Sequence, residues 1–71
     1  MKIPRIRPSL ETGIEVSGPE YPLAKNMPSV AAAIALAMDR ANGSRGTHYV
    51  REWGDVIARA EPTEQGWAHL A

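Results

Sequence analysis

Polar and apolar residues alternate early in the chain. In Thr12-Gly13-Ile14-Glu15-Val16-Ser17 the two branched residues share one side, the period-two signature of a half-buried strand. Ile3 to Arg7 reads as a second extended piece, which Pro4 and Pro8 confine to a sheet edge because proline donates no ladder bond. Gly18-Pro19-Glu20-Tyr21-Pro22 is a turn or loop. From Val30 to Ala41 the pattern changes to VAAAIALAMDRA, dense in strong helix formers and free of Gly and Pro. Pro28 suits the first turn of this helix, Asn26 or Ser29 suits its cap, and Asn42-Gly43 suits its end, with Gly43 in the left-handed conformation.

After the helix, Thr47 to Glu52 and Asp55 to Ala60 predict two strands around Trp53-Gly54, where Gly54 supplies the positive φ of a tight hairpin. A two-residue turn sets Val50 opposite Ile57, and a three-residue turn sets it opposite Ala58. Pro62 ends the second strand, and Gly66-Trp67-Ala68-His69-Leu70 returns as a short last one, with Trp67 assigned to packing. Strands, then a helix, then a hairpin describe a two-layer α+β fold: one α-helix packed across a small antiparallel β-sheet. At 100° per residue, Val30, Ile34, Ala37, Met38 and Ala41 share one helix side and are expected to pack on Ile14, Val16, Val50 and either Val56 or Ile57. The far side collects Ala31, Ala32, Ala35, Leu36, Asp39 and Arg40. That is a face with few charges, on which Leu36, Ala32 and Ala35 form a small apolar patch. Leu36→Lys is accordingly expected to leave the fold intact and weaken association.

Composition narrows the function. The 71 residues suffice for a single domain spanning residues 1–71. The longest uncharged apolar run, Val30 to Met38, is far short of the roughly 20 residues a membrane span needs. No secretion-type leader opens the chain, and the absence of cysteine removes disulfides and thiolate metal sites, which suits a cytoplasmic protein. A domain this small buries only about 60% of its unfolded surface, so self-association or partner binding is favoured, a homodimer included. Eight basic and eight acidic residues cancel, yet they fall in alternating blocks, basic over residues 1–10 and 25–51 and acidic over 11–24 and 52–71.

Candidate chemistry is sparse. The two histidines, His48 and His69, have no metal-ligand spacing, and none of the four serines sits in a Gly-x-Ser-x-Gly setting. Glu52 and Asp55 flank the hairpin turn, where water keeps carboxylates ordinary. Gly43-Ser44-Arg45-Gly46 follows a helix, so it meets the negative end of the dipole and does not cradle phosphate; Arg45 there complements the carbonyl end. No catalytic, cofactor or metal site is expected. Nucleic-acid association through Arg5, Arg7, Arg45 and Arg51 is the alternative reading, and zero net charge argues against it.

Interface anchors are better motivated, since Trp, Tyr and Arg dominate energetic hot spots. Trp53 at the hairpin tip and Tyr21 in its Pro-rich loop are exposed-type aromatics. The candidate partner-binding set is Leu36, Asp39 and Arg40 on the helix with Arg51, Trp53, Asp55 and Arg59 on the hairpin. The strand region, the alanine-rich helix from Pro28 to Asn42 and the Gly-turned hairpin from Thr47 to Ala60 together resemble small phage-encoded anti-CRISPR proteins in architecture and size over residues 12–60. That resemblance implies a non-enzymatic protein-binding module, an inhibitor that sterically blocks a CRISPR-Cas surveillance complex in the host cytoplasm. It transfers no individual residue, and the neutral charge departs from the acidic members that imitate DNA.

Overall fold

The computed structural model describes residues 11–65 and 68–71. The extended piece expected at Ile3–Arg7, the basic residues Lys2, Arg5 and Arg7, and Trp67 with Gly66 lie outside them. In chain order the elements are β1 (Ile14–Ser17), α1 (Val30–Ser44), β2 (His48–Glu52), β3 (Asp55–Glu61) and β4 (His69–Leu70). The strands form one antiparallel sheet in the order β1-β2-β3-β4, and α1 packs across one face of it. The two-layer α+β expectation is met.

Between β1 and α1 the chain first doubles back along β1. The Val16 amide donates to the Ala24 carbonyl (2.9 Å), Ala24 returns the bond (3.0 Å), and the Met27 amide donates to Ile14 (2.9 Å). The Thr12 hydroxyl fastens the same loop by donating to the Met27 carbonyl (2.6 Å). Ser29, in extended backbone, is the helix cap: its hydroxyl accepts from the Ala32 amide at 3.1 Å. Pro28 therefore stands just before the cap and not in the first turn. At the other end Gly43, expected in the left-handed conformation, remains helical, and Arg45 takes that conformation instead, at φ 63°. The Arg45 amide closes on the Ala41 carbonyl (2.9 Å) and its guanidinium donates to the Thr63 carbonyl, so local bonds offset the steric cost that glycine would have avoided.

The core is Ile14 and Val16 of β1, Val50 of β2, Ala60 of β3, Ala68, and the helix row Ala33, Ala37 and Ala41. Residues spaced by four share one helix line, and alanines on that line let the helix axis approach the sheet. Val30, Ile34 and Met38 pack on one flank of that line. Leu36 packs on the other, so it is half-buried and does not form the exposed patch expected of it. The smallest side chains occupy the line of closest approach and the larger ones straddle it. Ser17 precedes Gly18, over which the His48 ring sits: a Cβ there would lie 2.0 Å from Cδ2. His48 is fully buried with its Nδ1 2.8 Å from the Gly46 carbonyl, which makes Nδ1 the protonated nitrogen, while its Nε2 is buried without a partner.

The hairpin combines both registers anticipated from the sequence. Trp53 and Gly54 form a two-residue turn, pairing Glu52 with Asp55 and Arg51 with Val56; a bulge then inserts Ile57, so Val50 faces Ala58. Positive φ at both Trp53 (50°) and Gly54 (91°) marks a type I′ turn, whose twist matches the strands. Neither Val56 nor Ile57 packs beneath the helix, contrary to expectation: they are 48% and 43% exposed, and Ala58 and Ala60 take the positions facing it. The bulge turns the outer half of β3 away from the core.

Candidate functional site

Trp53 is the largest exposed side chain of the described residues, 69% accessible, and its position is fixed by its surroundings. Its amide donates to the Gly13 carbonyl at 2.8 Å, tying the hairpin turn to the residue that leads into β1. The indole lies over Gly13, whose φ of +73° and missing side chain leave the space it fills. A bulky residue in the left-handed region costs about 1–2 kcal/mol, which an Asn or Gly at this turn position would largely avoid. The chain thus holds an indole in solvent on a strained but hydrogen-bonded backbone, and such sites concentrate where function demands them.

Beside the indole lies an open groove of about 380 Å³. Glu15 and Glu11 line it from the β1 side, Lys25 and Asn26 from the returning loop, with Gly13 and Gly54 between them and Trp53. Sequence reasoning singled out Trp53 but missed the groove. The loop residues reach it only because the chain doubles back along β1, and no periodicity announces that return. Gly13 was the available signal, a glycine at a strand entrance.

On the sheet face away from α1, register places Glu15, Tyr49, Arg51 and Arg59 as neighbours. The Arg51 guanidinium lies 5.9 Å from the Tyr49 ring centre and donates weakly to the Gly54 carbonyl (3.4 Å). Arg59 bonds Glu61 at 2.8 Å through an exposed ion pair. Arg51, Trp53, Asp55 and Arg59 are therefore gathered on one hairpin, joined there by the exposed Val56 and Ile57.

The helix candidates do not join them. Leu36 packs toward the core, Asp39 is exposed, and Arg40 is drawn back onto the loop, donating to the Pro22 carbonyl (3.0 Å) with its guanidinium 4.8 Å over the Tyr21 ring. Tyr21 in turn packs against His48, ring centres 5.9 Å apart. Arg45 and Arg51, grouped in the nucleic-acid alternative, lie beyond opposite ends of β2's buried stretch, and the Arg45 guanidinium donates to the Thr63 carbonyl instead of the helix's own carbonyl end.

Among the described residues no group of three or more His, Asp or Glu side chains is placed to hold a metal ion. His48 is sealed in the core and His69 is exposed on β4 opposite Glu61. No helix of the described residues is long and apolar enough to cross a membrane. The chain matches no protein-family model, no curated protein and no solved structure.

Proposed function

We propose that this chain is a non-enzymatic binding module whose contact with a partner protein centres on the β2–β3 hairpin, with Trp53 as the anchor. The carrying observation is the exposed indole held by Gly13 at a positive-φ turn. A pre-positioned aromatic loses little freedom on binding, so more of its contact free energy becomes affinity. Val56 and Ile57 extend the apolar contact, and Arg51 and Arg59 add donors to the rim. Steric blocking of a CRISPR-Cas surveillance complex, implied by the resemblance in architecture, is the form of contact proposed for a phage setting.

Affinity capture from bacterial lysate with the wild-type chain, Trp53→Ala and Ala35→Arg tests the assignment of the surface. Loss of an anchor at the centre of an interface weakens binding by about 2 kcal/mol or more, roughly thirtyfold. A partner retained by Ala35→Arg and lost by Trp53→Ala supports the hairpin. The opposite pattern moves the contact to the exposed helix face, and a partner indifferent to both removes the proposal.

A further inference from the structure

We propose that β3 takes one more strand on its outer rim, residues 3–7 of a second copy of this chain, so that two copies exchange this segment. The carrying observation is the main-chain hydrogen bonding of the two sheet rims, complete on one and interrupted on the other. On β1 the outward groups belong to Ile14 and Val16, and all four are engaged. The Ile14 amide donates to the Thr12 hydroxyl (3.2 Å), the Ile14 carbonyl accepts from Met27 (2.9 Å), and Val16 exchanges both bonds with Ala24 (2.9 and 3.0 Å). On β3 the amide and carbonyl of Arg59 are both taken by Ala71 (3.1 and 2.7 Å), and Glu61 pairs with His69. The cover stops there. The two-residue turn makes Glu52 and Asp55 its closing hydrogen-bonded pair, so the next pair, Arg51 and Val56, turns the Val56 N–H and C=O outward. Among the described residues no strand pairs with that side of Val56. An open cleft of about 180 Å³ lies there, lined by Val56, Ile57, Ala58, Arg59 and Ala71.

The sequence of residues 3–7, which lie outside the described residues, suits a strand with a single neighbour. Along a strand, alternate residues direct their N–H and C=O to the same side. Pro4 and Pro8 remove donors from one side, whereas Ile3, Arg5 and Arg7 keep every donor on the other. A strand of this kind ends a sheet, which is the place left beside β3. For these residues to lie there in their own chain, residues 8–10 alone would have to carry the chain across from Glu11, which lines the groove on the β1 side of Trp53. The four Cα steps from Glu11 to Arg7 span at most about 14 Å. The line outside β3 is three strand spacings from β1, about 14 Å straight through the sheet, and the Trp53-Gly54 turn lengthens any path round it. A second copy is free of that limit, and a two-fold exchange gives each copy the other's strand. The pairing uses main-chain groups of β3 and does not depend on Trp53 as an anchor.

The test measures sedimentation of the full chain and hydrogen exchange of its Val56 amide by ¹H–¹⁵N spectroscopy over a range of protein concentration. The expected result is a dimer that grows between about 0.01 and 1 mM protein, with exchange at Val56 slowing roughly tenfold as it forms. Arg5→Pro removes a donor from the pairing side and is expected to weaken the dimer roughly tenfold, the worth of about one hydrogen bond. Ile6→Pro puts its ring on the side that Pro4 and Pro8 already leave without donors, and is expected to stay within roughly twofold of the wild type. Opposite outcomes from neighbouring prolines are not produced by a loss of fold. A chain that stays monomeric over the whole range overturns the inference, whether Val56 is exposed or is protected at every concentration by its own segment. So does a dimer in which the Leu70 amide and not Val56 is protected, or one that Arg5→Pro and Ile6→Pro weaken equally.

Discussion

The indole of Trp53 stands where a side chain on Gly13 would have to be: a Cβ built on Gly13 falls 2.2 Å from the ring atom Cε2. Gly13→Ala therefore forces a methyl group into an occupied space on a backbone at φ +73°. A destabilisation of about 1–3 kcal/mol is expected, measured by urea unfolding. Trp53→Ala removes a mostly exposed ring and is expected to change stability by less than about 1 kcal/mol. If the two variants unfold alike, the glycine is not holding the ring.

Ala37 lies in the middle of the alanine line, fully buried against the sheet. Ala37→Leu inserts a branched side chain where the helix comes closest to the strands and is expected to cost about 1–3 kcal/mol. Ala35→Leu, on the exposed side, is expected to stay within about 0.5 kcal/mol. Thermal unfolding of the two variants separates a packing effect from a general effect of bulk in the helix.

His48 is the largest fully buried side chain among the described residues. His48→Ala opens a cavity beneath Gly18 and leaves the Gly46 carbonyl without its 2.8 Å donor, and a loss of about 2–4 kcal/mol is expected. His48→Phe keeps the ring volume and exchanges the unpartnered Nε2 for carbon, so it is expected to cost less than alanine. Denaturant midpoints that place phenylalanine below alanine would show that the Gly46 bond outweighs the filled space.

Leu36→Lys reverses the expectation formed from the helical wheel. Leu36 packs against the core, and lysine there is expected to cost about 1–2 kcal/mol. A variant with unchanged melting and weaker association would restore the earlier reading of an outward Leu36.

The elements were legible because their signals are local. Alternation marked Ile14 and Val16, the run without Gly or Pro marked the helix, and Gly54 marked the turn. The inward side of the helix was legible for Ala37 and Ala41, which are buried, and for Val30, Ile34 and Met38, which pack against the core; Ala33 and Leu36 were missed, because close approach selects alanine for the seam and turns the helix toward them. The bulge at Ile57 was equally hidden, because either hairpin register satisfied the pattern. Of the site, Trp53 was visible by residue type, whereas the partnership of Gly13 with it and the approach of Lys25 and Asn26 depend on contacts distant in sequence.

The loop that returns from Ala24 to Met27 occupies the free rim of β1, while β3 leaves its far rim only partly covered by β4 and irregular at Ile57. Stacking into a filament requires a strand template at both ends of the repeating unit, and here one end is already taken by the chain itself. Among the described residues, an edge-to-edge contact through β3 would therefore find no second open strand on the β1 side from which to continue.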